Sequence, residues 1–384
     1  MERILLGPGP SLTPPSVQAA MVRPQLGHMD PDLMPMLEET SALLRRVFQT
    51  ANELAFPISG TGTAGMEACL VNTLEPGDRI VVAVSGFFAQ RIAEVAARAG
   101  ADVEVVEAPW GQAVDPADLA RTLGRRRAKV LAATHVETST GVLQPVQEFA
   151  AIAQEHGALL LVDAVASLGG VDLPVDQWGI DICYSGSQKC LSAPPGMAPV
   201  TANDRVRRLP RAHPVRSYYL DLTLLWQYWG HPHAYHHTVP VAFVFAIHEA
   251  LRLTVEEGLP ARFARHALNA SALGAGLEAL GLRLFAPAPL RAPSVVTVEV
   301  PVGVDEARVR ERLLTDHGIE IAGGLGPLRG RIWRVGLMGH SSQDRLVLLL
   351  LTALETALAS EGFRFEPGAG MAAASRVLAA SSAA

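Results

Sequence analysis

Cysteine is scarce: the 384-residue chain has three, Cys69, Cys183 and Cys190. The number is odd and each lies in apolar surroundings, which speaks against a disulfide framework and suits a reducing compartment. Metal-ligand spacings are missing too. No CxxC and no HExxH occurs, so no metal is expected. No apolar run reaches membrane-spanning length, so no membrane partner is expected. The N-terminus lacks a basic region followed by an apolar core; no signal peptide is expected, and the location read from these absences is cytoplasmic. Charged residues make up only 18%, and the net charge of −6 gives no reason to expect nucleic acid. What is present is a globular composition, 49% apolar, long enough for two domains with ample core.

Local scarcity of charge singles out one lysine. Across residues 182–200 the only charged side chain is Lys189, in the segment Tyr184-Ser185-Gly186-Ser187-Gln188-Lys189-Cys190-Leu191. An ammonium with no carboxylate nearby is costly unless it is solvated or chemically used. A desolvated lysine gives up its proton more readily and attacks carbonyls. A solvated loop position is the plainer reading of any lysine, but a matching piece lies upstream. Residues 158–162 form a continuous apolar run, which reads as a strand buried on both faces. It ends in Asp163, where open α/β sheets bind ligands; the alternative is an aspartate capping a helix. Strand–Asp, a short gap, then a second strand running through Ser185-Gly186-Ser187-Gln188 to Lys189 is the arrangement a pyridoxal phosphate site needs. The lysine forms the Schiff base and the aspartate keeps a proton on the pyridine nitrogen.

Taken in order, residues 1–20 are proline-rich and read as an extended arm without helix. The arm is apolar and is expected to pack on something, another subunit being one option. His28 reads as structural or capping rather than catalytic. In Ile58-Ser59-Gly60-Thr61-Gly62-Thr63-Ala64 a strand turns through glycines into a helix over 64–74. Free N–H groups and close backbone approach there make a phosphate cradle or a simple turn. Strands at 79–84 and 129–134 alternate with helices, implying a parallel sheet whose polar clusters all lie on one edge. Phe88 on that edge either stacks on an aromatic ligand or packs in the core. After Pro194-Pro195-Gly196 the chain reads as irregular. The histidines at 231, 233, 236 and 237 have no acidic or cysteine ligands beside them in sequence. Gly258-Leu259-Pro260 marks a domain boundary. The expected organisation is an arm (1–20), a large domain (21–257), a small α+β domain (258–365) and a disordered or frayed Ala/Gly/Ser-rich tail (366–384).

With these pieces placed, the chain resembles the alanine–glyoxylate and serine–pyruvate aminotransferases, in class V of the fold-type-I pyridoxal phosphate enzymes. The resemblance runs from residue 7 to about residue 360. It rests on Ser59-Gly60-Thr61-Gly62-Thr63, Glu137-Thr138-Ser139-Thr140-Gly141-Val142-Leu143-Gln144-Pro145, the Asp163 block, Ser185-Gly186-Ser187-Gln188-Lys189, Tyr235-His236-His237-Thr238 and Gly323-Gly324-Leu325-Gly326. It implies an α/β fold: a large domain with a mainly parallel sheet flanked by helices, plus a smaller C-terminal α+β domain. It implies pyridoxal 5′-phosphate bound to Lys189, which also moves the substrate proton. Asp163 would pair the ring nitrogen, Phe88 and Val165 would cover the two ring faces, and Thr138 would reach the ring oxygen. Gly62, Thr63 and Gln188 would hold the phosphate, Thr63 standing where the animal enzymes have histidine. Tyr235 and Thr238 would come from the partner of a homodimer with sites at the interface. Arg334 would grip the carboxylate of small amino-acid and 2-oxo-acid substrates.

The activity so implied is a ping-pong transamination from alanine or serine to glyoxylate or pyruvate. Ureidoglycine–glyoxylate or aminoethylphosphonate transamination is the alternative, and a non-catalytic protein of the same fold a further one. A cysteine desulfurase would need a cysteine on a mobile loop. The three cysteines fall in a helix, in a strand and directly after Lys189 instead.

Overall fold

Apolar runs without polar alternation make strands covered on both faces. In the computed structural model, which describes residues 3–382, they form the middle of a seven-stranded sheet. Counting from the short N-terminal strand β1 (Ile4–Leu5), the sheet holds β2 (Leu54–Ser59), β3 (Arg79–Val84), β4 (Asp102–Glu107), β5 (Val130–Thr134), β6 (Leu159–Asp163), β7 (Ile182–Tyr184) and β8 (Met197–Ala202). Their spatial order is β2-β8-β7-β6-β5-β3-β4. All run parallel except β8, which is antiparallel to both neighbours. The helices of this part include α1 (Pro15–Met21), α2 (Met34–Phe48), α3 (Gly62–Thr73), α4 (Phe87–Arg98), α5 (Pro116–Arg125), α6 (Val146–Glu155) and α7 (Val241–Glu257). The region after Gly196, expected to be irregular, opens with β8. Pro199 argues against a central strand, yet it stands opposite Pro57 in the β8–β2 ladder.

The C-terminal part contains α8 (Leu259–Ala279), β9 (Val295–Glu299), α9 (Glu306–His317), β10 (Ile319–Glu320), β11 (Ala322–Gly323), β12 (Ile332–Gly336) and α10 (Asp344–Ser360). Its antiparallel sheet has the order β9-β12-β11. Trp333 on β12 is fully buried, and its Nε1 donates to the Glu306 carbonyl at 3.1 Å. Apolar packing separates into a large core, from Ala20 to Leu251, and a second core that takes in Ala272 to Ala374.

Two expectations about the ends need correction. The arm packs on its own chain: β1 pairs in parallel with β10, the Gly336 N–H donates to the Leu6 carbonyl at 2.8 Å, and Leu6 joins the second core. It also contains a helix, because Pro15 opens α1 at a position whose N–H would have no partner anyway. Residues 1 and 2 of the arm lie outside the described residues. The tail forms helix α11 (Ala369–Ser382), and its residues 383–384 lie outside the described residues. An Ala/Gly/Ser composition shows little apolar periodicity, but alanine is the best helix former. The small residues also let helices approach closely. A side chain at Gly276 on α8 would overlap Leu351 and come within 2.9 Å of the Gly370 carbonyl, and Ala374 is fully buried.

Deleting residues 369–384 should therefore uncover the α8–α10 face and lower the thermal unfolding midpoint by at least ~3 °C, given the sensitivity of a chain this size. Differential scanning calorimetry checks this; an unchanged midpoint would mean that α11 contributes nothing.

Candidate active site

The carboxyl ends of β2, β3, β5, β6 and β7 point to one edge, and each carries small or polar residues there. Ligands of parallel α/β sheets bind at such an edge. A cavity of about 130 Å³ at this edge is lined by Gly62, Thr63, Phe88, Thr138, Asp163, Val165, Gln188 and Lys189, together with Arg91 and Tyr184. Cavities of about 350 and 440 Å³ exist elsewhere, but neither has a lysine or a strand-end carboxylate among its lining residues. Chemistry, not volume, selects the smaller one.

Lys189 is 9% exposed. Its Nζ donates to the Pro8 carbonyl of the arm. The Ser11 N–H and Oγ donate to the Gln188 and Lys189 carbonyls at 2.9 and 2.7 Å. Gly9, at φ +100°, leaves no room for a side chain, since a Cβ there would overlap the lysine side chain. Burial, and secondarily the Arg334 charge, lower the Lys189 amine from 10.5 to about 8. A larger share of it is therefore unprotonated near neutral pH, as a carbonyl nucleophile requires. The chain's only other lysine, Lys129, precedes β5 at the opposite end of the sheet and binds Asp78 at 2.6 Å.

Asp163 ends β6 beside Tyr184 on β7. Its Oδ1 accepts the Val165 N–H at 2.8 Å and its Oδ2 the Tyr184 hydroxyl at 2.7 Å. It does not cap a helix. Burial pushes it up to about 6, against these hydrogen bonds. A cation placed against it would restore the ionised form.

Glu137 is wholly buried and accepts from the Phe88 and Ala89 N–H groups at the start of α4 (3.2 and 3.1 Å) and from the Ser139 N–H and Oγ (3.0 and 2.6 Å). These bonds fix Phe88, half-buried and facing the cavity, against the loop that carries Thr138. Arg334 Nε donates to the Gly323 carbonyl at 2.7 Å and Nη1 to the Thr138 carbonyl at 3.2 Å. Among the described residues no carboxylate lies within ion-pair distance of it, which removes the reading of Arg334 as half of a salt bridge. Burial lowers it to about 10.

At the α3 end, Thr61 occupies the N-cap without a side-chain cap bond, so the first N–H groups of the helix face the cavity uncapped. Gln188 has a buried amide oxygen with no protein partner. Tyr235, 61% exposed, and Thr238 do not line this cavity within the chain. Sequence reasoning assigned no role to Tyr184, Glu137, Arg91 or Pro8. Tyr184 and Glu137 lay inside the motifs already quoted; Arg91, whose guanidinium sits 5.1 Å over both the Phe87 and Phe88 rings, carried no signal.

The family model for aminotransferase class-V matches residues 8–328. The chain is a class-V aminotransferase. It is 40% identical to the (S)-ureidoglycine–glyoxylate transaminase of Bacillus subtilis (strain 168), over 97% of this chain and 94% of that one. It is 42% identical to the alanine–glyoxylate aminotransferase of Callithrix jacchus, over 93% and 87%. The crystal structure of ureidoglycine–glyoxylate aminotransferase from Bacillus subtilis superposes with a TM-score of 0.97 at 41% identity, covering 99% of this chain and 98% of that chain. The aminotransferase has the fold-type-I α/β architecture, and its cofactor is pyridoxal phosphate.

The residues present fit that cofactor. A buried amine, a strand-end carboxylate, a half-buried aromatic ring, an uncapped helix start and an unpartnered amide converge on one cavity. When bound, the cofactor supplies an electron sink for the substrate Cα. Lys189 would anchor it, Asp163 would hold a proton at its ring nitrogen, and Phe88 and Val165 would enclose the ring.

Borohydride reduction followed by peptide mapping should put the pyridoxyl mass on Lys189, with Lys129 as the built-in control. Capture of pyridoxal phosphate by the apoenzyme needs the neutral amine. Its rate should thus climb with pH through about 8 and then level, instead of climbing towards 10.5. Label on Lys129, or no plateau, would reject the assignment.

Proposed function

We propose that this aminotransferase moves the amino group of alanine or serine to glyoxylate or pyruvate by a ping-pong mechanism. The observation that carries the reading is Arg334: a buried guanidinium with no carboxylate partner among the described residues, near enough to Lys189 to lower its amine. An unpaired buried charge is costly, and a substrate α-carboxylate completes it through two parallel hydrogen bonds. Both the amino acid and the oxo acid carry that group, so one anchor serves both half-reactions. Lys189 then moves the proton at the substrate Cα. Thr138 contacts the ring oxygen. Gly62, Thr63 and Gln188 hold the phosphate, helped by Tyr235 and Thr238 of a second copy in a homodimer. The exposure of Tyr235 and its absence from the lining of its own chain's cavity support that division. Buried, unpaired cysteines fit a cytoplasmic enzyme.

(S)-Ureidoglycine is the second donor to consider. By sequence, the ureidoglycine–glyoxylate transaminase of Bacillus subtilis covers 97% of this chain and the alanine–glyoxylate aminotransferase of Callithrix jacchus 93%.

Donor preference is tested by kcat/KM for alanine, serine and (S)-ureidoglycine, each with glyoxylate and with pyruvate. Alanine or serine should lead. A preference for ureidoglycine of more than ~10-fold, or ~1.4 kcal/mol in barrier, gives the second reading, and no turnover with any donor overturns both. Arg334→Lys should lose roughly 10²–10⁴-fold in each half-reaction while keeping cofactor affinity, because charged hydrogen bonds contribute about 1.5–3 kcal/mol each. Wild-type efficiency in either half-reaction refutes the shared anchor. Mixing inactive Lys189→Ala with an inactive Tyr235→Phe/Thr238→Ala variant should restore activity if sites are shared between subunits. An active monomer at assay concentration rules that out.

A further inference from the structure

The loop after helix Leu222–Trp229 was expected to lack acidic company for its histidines. The fold supplies it from α2. His231 Nε2 and His233 Nε2 lie 3.3 and 3.0 Å from the same oxygen, Glu38 Oε1. One ligand atom from each of the three residues falls within 4.8 Å of the other two. We propose that Glu38, His231 and His233 form a binding site for a divalent transition-metal ion of the zinc type, separate from the transamination site.

The hydrogen bonding of His233 argues for a cation. Its Nδ1 is 3.1 Å from the Tyr228 carbonyl, which can only accept, so Nδ1 carries the proton. In the neutral ring Nε2 is then a bare lone pair facing a carboxylate oxygen at 3.0 Å. That arrangement is repulsive unless a second proton or a metal ion stands between them. The spacing suits a metal. Tetrahedral bonds of about 2.0–2.1 Å place ligand atoms about 3.3 Å apart, close to both observed separations. The Nδ1–carbonyl contact is the outer-sphere support that fixes the ring of a ligating histidine. His233 is also held at φ +59°, a left-handed conformation that non-glycine residues rarely adopt, and this conformation belongs to the turn that brings it back to α2. Two imidazoles and one carboxylate favour zinc, cobalt, nickel or copper over magnesium or calcium, which prefer oxygen ligands. His231 and Glu38 are exposed, so the fourth position opens to water. The ion would tie α2 to the segment running into Tyr235 and Thr238.

The test is calorimetric titration of the untagged holoenzyme with zinc chloride at neutral pH, with magnesium chloride as the control. Wild type should bind one zinc per chain with a Kd below ~10 µM, corresponding to more than ~7 kcal/mol, and no magnesium. Glu38→Gln and His231→Asn change exposed side chains, and each should weaken zinc at least ~10-fold; His233→Asn should do the same. No zinc uptake would mean that a proton alone bridges the cluster. Equal uptake by wild type and all three variants would place the zinc elsewhere. Either result overturns the proposal.

Discussion

A buried carboxylate ties the two parts of the molecule together at the site. Glu137 has no solvent; burial raises its carboxyl above the usual range, while donors from the first turn of α4 and from Ser139 pull it the other way. Those bonds set the angle at which α4 leaves β3, and hence where the Phe88 ring stands. They also shape the loop whose Thr138 carbonyl receives Arg334 from β12. The Phe88 ring, the loop and the Arg334 guanidinium are thereby referred to one fixed point. Gly86 shows how close the fit is: a Cβ there would overlap Glu137 and Ser139.

The charges of the cavity share a second property. Burial moves Lys189 down to about 8, Arg334 down to about 10 and Asp163 up to about 6. Each shift runs towards the neutral form, the signature of groups placed in a dry site for a purpose other than pairing with one another. A ligand with a carbonyl, a basic ring nitrogen and a carboxylate-bearing partner offers each of them its complement. The cysteines take no part: all three thiols are buried, and burial raises them away from the reactive thiolate.

Much of this site was legible because the chemistry sits where sequence patterns break. Lys189 stood out as a lone charge, Asp163 as the polar end of an apolar strand, and Arg334 as a guanidinium within a buried one. Tyr184 was hidden because it reads as one more apolar strand residue; its hydroxyl matters only once β6 and β7 are in register. Pro8 was hidden by distance, since nothing local connects a residue near the N-terminus to Lys189. The fold was legible where strands were continuous and apolar. It was not legible at β8, whose proline mimics a loop, or at α11, whose alanines pack by smallness rather than by an apolar stripe. Glu38 and the two histidines were likewise joined only by tertiary packing.

The arm places a constraint on the order of events as the protein is made. Leu6 hydrogen-bonds to Gly336, and Pro8 and Gly9 lie against Lys189. Residues 6–9 therefore find their resting place only after β12, far downstream in the sequence, has been synthesised. Until then the large sheet can collapse around its own core, but the lysine lacks its roof and the arginine its position. A chain that stops short of β12 thus lacks both the partner of Leu6 and the guanidinium of Arg334, and completion of the site waits on an early segment meeting a late strand.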